Sequence, residues 1–227
     1  MPYLWTSDRV NKDDLTIIYF TSNREDESFE KKIQNILLKT SENKFPIISV
    51  SQKPISFGDN ICIGDVGAND NNLYRQILIA CESAKTPFVI SAEADNLYPY
   101  DYFNYEPEKL DRVYRYGNVW VLKYWRSYFV RKSWCEGAQI IGREYYIDLI
   151  KKELEGRPLW SAERYPTNPF RTLNRDWTYY GTEIPVVSIK TGNGLRANTT
   201  TNNKEYTHSL PYWGNTKIVK RKLGMLS

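Results

Sequence analysis

The chain has 227 residues, with 31 Lys and Arg against 27 Asp and Glu, a formal net charge of +4. Hydrophobic residues make up 41% and aromatic residues 15%, which excludes a disordered polymer and fits one large domain. The longest apolar runs, such as Ile77-Leu78-Ile79-Ala80-Cys81, are about a quarter of a bilayer span. No basic-then-apolar leader opens the chain, so no signal peptide is expected. Cys62, Cys81 and Cys135 are too few and too scattered for a disulfide framework or a cysteine zinc site. A soluble protein of a reducing, cytoplasmic compartment is the expectation.

In chain order, residues 15–20 form a short apolar run rich in strand formers, ended by Thr21, Ser22 and Asn23. Phe29, Ile33, Ile36 and Leu37 then fall at helical spacing. Residues 46–50 read as the second strand and 61–63 as a short third. The clearest helix carries Leu73, Ile77, Ala80, Cys81 and Ala84 on one face, with Asn69 or Asp70 as its cap. Residues 88–92 read as a buried strand. Strand, helix, strand, helix, strand implies right-handed crossovers and a parallel sheet flanked by helices. Further on, 119–125 and 128–131 read as an aromatic hairpin, 138–141 as a strand, and Tyr146, Ile147, Ile150 and Leu154 as a helix face. Residues 155–182 read as loop, 185–189 as a late strand, and 191–227 as a polar tail.

Glu93-Ala94-Asp95 stands directly after the 88–92 strand. Ligands collect beyond the carboxyl ends of strands in open α/β sheets. Two carboxylates one residue apart can approach one Mg²⁺ or Mn²⁺, whose other ligands are the phosphate oxygens of a substrate. A charged turn after a strand is the plainer alternative. Glu93 and Asp95 point to opposite sides of an extended segment, so Asp95 is the expected direct metal ligand and Glu93 the contact to a metal-bound water or to another part of the substrate.

The segment GANDNNLYRQILIACESAKTPFVISAEADNLYP resembles the core of nucleotide-sugar-dependent glycosyltransferases of the GT-A type, family 2-like. Their strand ends in an acidic Asp-x-Asp-like motif, here Glu93-Ala94-Asp95, with Glu in the first place. A helix with a polar, Arg-bearing start precedes it, here Asn71-Asn72-Leu73-Tyr74-Arg75-Gln76. The opening strand with Thr21-Ser22-Asn23-Arg24 matches the nucleotide cradle. The likeness covers residues 13–100, and more loosely those up to 189. It implies a single Rossmann-like α/β domain over 1–227, with a mixed, mostly parallel sheet. Residues 13–100 would be the donor half, 101–190 the acceptor half and 191–227 a lid or tail around Gly192-Asn193-Gly194-Leu195-Arg196.

The resemblance also implies a metal-dependent hexosyl- or pentosyltransferase using a nucleoside diphosphate sugar, with uridine the expected base. Thr21, Ser22, Asn23, Asn72, Arg75 and Glu93 would bind the donor. Arg75 would also stabilise the departing phosphate, with a surface salt bridge as its plainer role. Asp95 and His208, the only histidine, would hold Mn²⁺ or Mg²⁺, since many such enzymes take a late histidine as ligand. A base must accept the acceptor proton. Glu136 and Asp176 are the candidates, with Glu163 a further rival, and the stereochemistry stays open.

Trp125, Tyr128 and Arg131 stand in a stretch dense in Trp, Tyr and Arg, suited to stacking on sugars or bases or simply to core packing. Two acceptors remain: a saccharide or cell-surface glycan, or a hydroxymethylated pyrimidine in phage DNA, modified in the host cytoplasm. The net charge and the basic cluster at 217–222 tilt the expectation to DNA. No protein partner is expected. A nucleotidyltransferase is disfavoured because the first turn lacks glycine. A non-enzymatic nucleic-acid-binding module would have no use for Glu93 and Asp95.

Overall fold

The computed structural model describes residues 14–163, 166–171, 173, 177–194 and 205–226. The chain begins with β1 (Leu15–Thr21), α1 (Glu27–Thr40), β2 (Ile47–Ser51), β3 (Asp59–Cys62), α2 (Asp70–Ser83), β4 (Phe88–Glu93) and β5 (Asn96–Leu97). It continues through β6 (Val113–Tyr116), β7 (Val119–Lys123), β8 (Phe129–Lys132), β9 (Gln139–Gly142), α3 (Arg143–Leu154) and β10 (Trp177–Tyr180). It ends with β11 (Val186–Lys190), β12 (Tyr206–Thr207), β13 (Ser209–Leu210), β14 (Gly214–Asn215) and α4 (Thr216–Lys222).

Local chemistry explains the helices. The Asp26 carboxylate accepts from Phe29 N at 3.0 Å and caps α1. Asn69, in extended backbone, caps α2 by accepting from Asn72 N at 3.0 Å. All seven residues of β1 are buried, the pattern of a central strand covered on both faces. Its alternate residues enter two cores. Leu15, Ile17 and Tyr19 pack with Leu37 of α1 and the buried tyrosines Tyr98, Tyr102 and Tyr116. Ile18 and Phe20 pack with Tyr74 and Ile77 of α2 and with Tyr146 and Ile150 of α3.

The larger sheet has the order β10-β6-β9-β4-β1-β2-β3. Four of its pairings are parallel, and only those made by β9 with β4 and β6 are antiparallel. The expected Rossmann-like α/β arrangement, a mostly parallel sheet flanked by helices, is therefore present. A second sheet, β12-β8-β7-β11-β5, packs its Leu122, Phe129, Val187 and Ile189 onto Phe29, Ile33 and Ile36 of α1 and onto Val219 of α4. Helix α1 thus lies between the two sheets. The expected aromatic hairpin is β7–β8, paired Val119↔Lys132 to Leu122↔Phe129. Strand β6, strand β10 inside the expected 155–182 loop, and α4 in the expected polar tail are additions. No described helix is long and apolar enough to cross a membrane.

Candidate active site at the carboxyl ends of the central strands

After β1 the chain crosses to β2 on one side, and after β3 it crosses through α2 to β4 on the other side of β1. This is a topological switch point, where the loops leaving two neighbouring strands part and open a crevice. The crevice is lined by Thr21, Ser22, Arg24 and Glu25 after β1, by Glu93 and Asp95 after β4, and by Lys132, Glu136 and Lys190 from the second half.

Asp95 sits where the chain passes from β4 in one sheet to β5 in the other. Strand β11 pairs antiparallel with β5, and Ile189 N donates to Asp95 O at 2.7 Å. That register brings the next side chain, Lys190, against the Asp95 carboxylate, with Nζ donating to Oδ2 at 2.7 Å. The two side chains are only 12% and 13% exposed. Burial works against the Lys190 charge, yet the Asp95 and Glu93 carboxylates raise its pKa above the ordinary lysine value. Burial, reinforced by the nearby Asp95, pushes the Glu93 carboxyl up to about 7. Burial also raises Glu25, against the effect of Thr191, whose hydroxyl donates to Glu25 Oε2 at 2.7 Å.

Gly137 fixes the opposite wall. A Cβ there would lie 2.5 Å from the Glu93 carboxyl carbon, so glycine lets this turn press against the Glu93 side chain without displacing it, next to Glu136 at the crevice. Gly194 passes over the acids in the same way, where a Cβ would stand 3.2 Å from Glu25 Oε1 and 3.9 Å from Asp95 Oδ2. Residues 191–194 therefore cross the crevice. Leu195 and Arg196 of the expected lid lie outside the described residues.

The structure brings together Thr21, Ser22, Glu93, Asp95 and Glu136 of the residues singled out in the sequence. It places others elsewhere. Asn23, at φ +51°, turns its side-chain oxygen to Gln52 N and Lys53 N at 2.9 and 2.8 Å, bracing the loop after β2. Asn72 is buried and ties Val66 O to Ser161 N and O. Arg75, expected at the phosphates, instead donates to the carbonyls of Leu154, Arg157 and Pro158 beyond α3. Asp176 lies outside the described residues. Glu163 hydrogen-bonds through its backbone to Ser161 and does not line the crevice.

His208 is exposed and contacts Ser127 O at 3.1 Å, beside the rings of Tyr128 and Tyr206. It does not line the crevice with Asp95. Arg131 braces Asn118 Oδ1 and Gly117 O. In the basic cluster at 217–222, Lys220 is buried and donates to the carbonyls of Tyr124 and Arg126. Trp125 is 51% exposed, edge-on to Tyr124.

Among the described residues no group of three or more His, Cys, Asp or Glu side chains is arranged to hold a metal. One Asp95 oxygen is already taken by Lys190. The positive charge beside the strand-end acid is an ammonium. Lys190 and Glu25 escaped the sequence reading, and Lys132, read as one of the basic residues of the acceptor half, lies at the crevice instead. The one sequence signal for Lys190 was its place at the end of a late strand.

No protein-family model matches the chain, and no curated protein matches it. Among solved structures it is similar to a glycosyltransferase involved in the glycosylation of the major capsid of PBCV-1, at 9% identity and TM-score 0.45, covering 75% of this chain and 83% of that one. It is similar to S. aureus TarS at 10% identity and TM-score 0.44, covering 79% and 37%. It is similar to the bifunctional IspDF from Campylobacter jejuni at 10% identity and TM-score 0.35, covering 64% and 45%. The chain thus spans less than half the length of the last two. At these scores none of the likenesses carries weight for function, which has to be read from the crevice.

Proposed function

We propose that the protein transfers a glycosyl group from a nucleoside diphosphate sugar to an acceptor hydroxyl. The supporting observation is the crevice at the switch point, where Arg24, Lys132 and Lys190 face the same space as Glu136. Ser22 offers a hydroxyl to the nucleoside, whereas the buried Thr21 hydroxyl donates to Glu30 Oε2 at 3.3 Å and braces the end of β1. The cations lie where a diphosphate would gain negative charge as the glycosidic bond breaks, the form of catalysis in which fixed charge counts most. Glu136 accepts the proton of the acceptor hydroxyl as that oxygen bonds to the anomeric carbon. The anomeric C–O bond breaks, and its electron pair leaves with the nucleoside diphosphate. Asp95 is a positioning residue that keeps Lys190 charged and aimed.

For the acceptor we propose a saccharide hydroxyl. Tyr124 and Trp125 form an exposed aromatic surface next to residues 191–194, since a Cβ on Gly192 would touch the Tyr124 ring at 3.3 Å. Arg131 of the aromatic stretch and Lys220 of the basic cluster are engaged with neighbouring protein oxygens, which weakens the reading of DNA as acceptor. The test is transfer of labelled sugar, from a panel of nucleoside diphosphate sugars, to oligosaccharides and to hydroxymethylated duplex DNA at low and high salt. Label on a saccharide with little salt dependence is expected. Label on DNA that fades steeply with salt would restore the nucleic acid acceptor, and no label on any acceptor would remove the proposal.

A further inference from the structure

Behind the crevice wall lies a group of polar side chains that the fold leaves unexplained. Arg115 of β6 is 0% exposed, and its Nε, Nη1 and Nη2 have no hydrogen-bond partner among the described residues. The indoles of Trp134 and Trp177 stand 3.9 and 4.0 Å from its guanidinium carbon, and Phe170 stands at 5.2 Å. Gln139 of β9 is paired in register with Arg115, so the two side chains leave the sheet on the same face. Both amide atoms of Gln139 are buried and unpartnered among the described residues, as is the Tyr146 hydroxyl. Tyr146 stacks on Phe170 at 5.6 Å, which places it on the rim of the same group.

Buried polar groups are almost always paired, and a buried guanidinium without a partner is costly. Aromatic walls attract a cation but accept no hydrogen bonds of ordinary strength. The unpaired atoms are nearly all donors: three guanidinium nitrogens, an amide nitrogen and a phenol, against one amide oxygen. The missing partner is therefore rich in acceptors, and the planar fork of arginine matches carboxylate and phosphate. Trp134 and Trp177, which stack on Arg115, are themselves only half-buried. Tyr74 and Glu136, which line the crevice, both act electrostatically on Arg115.

We propose that Arg115, Gln139 and Tyr146, walled by Trp134 and Trp177, form an oxyanion subsite for a carboxylate or phosphate group carried by the acceptor. Its role as an acceptor subsite rests on the glycosyl-transfer reading. Its affinity for an oxyanion does not.

The experiment is a thermal-shift series with inorganic phosphate, a hexuronic acid and the parent neutral hexose at matched ionic strength. A nucleoside diphosphate is run in parallel on wild type, Arg115→Met and Tyr146→Phe. Wild type should gain about 3 °C with saturating phosphate or uronic acid and nothing with the hexose. Arg115→Met should melt no lower than wild type, because an unpaired buried charge is gone, and should lose the anion shift. Tyr146→Phe, which removes one oxygen only, should fold normally and reduce the shift by at least half. A response to uronic acid alone names a carboxylate acceptor, and a response to phosphate alone a phosphorylated one. No anion shift in wild type, or one that Arg115→Met and Tyr146→Phe leave undiminished when the crevice is already saturated with a nucleoside diphosphate, would overturn the subsite. An Arg115-dependent anion shift with no response to any nucleoside diphosphate would keep the subsite and remove the glycosyl-transfer reading.

Discussion

Lys190 and Lys220 are both nearly buried, and they do opposite work. Lys190, at the end of β11, meets the Asp95 carboxylate at 2.7 Å, and the acids around it raise its pKa. Lys220, in α4, meets only the carbonyls of Tyr124 and Arg126, and burial lowers its pKa. The first belongs to a charge system open to a crevice. The second closes the turn between β7 and β8, its ammonium hydrogens engaged by backbone carbonyls. The same residue type is functional or structural according to whether its partner is another side chain facing open space or backbone that must be capped.

The largest effect should come from breaking the first arrangement. Lys190→Ala strands the Asp95 carboxylate next to Glu93, and unpairing a buried ion pair costs about 3 kcal/mol. Urea unfolding should show that loss, and transfer should fall at least a hundredfold, roughly what one lost electrostatic contact to a transition state costs. Unchanged stability and rate would mean that Asp95 needs no lysine.

The Glu93 carboxyl gives the next effect, and its sign is fixed. Its pKa is pushed up to about 7 in the folded protein, against an ordinary value of 4.5. The folded state therefore holds an extra proton between those values, and stability falls as pH rises from 4.5 to 7. Glu93→Gln should flatten that slope and gain on the order of 2 kcal/mol at pH 8. Melting curves between pH 4.5 and 8 check it, and a parallel slope in the variant would contradict it.

Lys220→Met should lose about 1.5 kcal/mol, because two carbonyls lose their donor, while the transfer rate per folded molecule stays the same. A rate loss without a stability loss would move Lys220 from brace to site. The smallest effect belongs to the exposed aromatic surface. Trp125→Ala should raise the acceptor KM about fivefold, near 1 kcal/mol for one stacking contact, and leave stability within about 0.5 kcal/mol. An unchanged KM for every acceptor would take Trp125 out of the acceptor surface.

What the sequence made legible follows from the range of each interaction. The succession β1, α1, β2, α2, β4 is written in local periodicity, and the strand-end acids Glu93 and Asp95 lie where such a sheet opens. Glu136 could be singled out because it precedes a strand in the second half. The partners of these groups were not legible. Lys190 reaches Asp95 across 95 positions, through a pairing of β11 with a two-residue strand that has no periodicity to read. Asn72 and Arg75 look like ligand contacts at the start of a helix. Their partners are backbone groups of Leu154, Arg157, Pro158 and Ser161, about 80 to 90 residues downstream, on a loop whose path local sequence does not specify. Strand β6 escaped because Arg115 interrupts its apolar face.

The most direct test is calorimetric titration of uridine diphosphate and its fellow nucleoside diphosphates into the protein in the presence of EDTA. Binding that persists in EDTA and disappears in Lys190→Ala is the expected result, because the charge that meets the diphosphate comes from the chain itself. The absence of heat for every nucleoside diphosphate, or binding only when Mn²⁺ or Mg²⁺ is supplied, would contradict it.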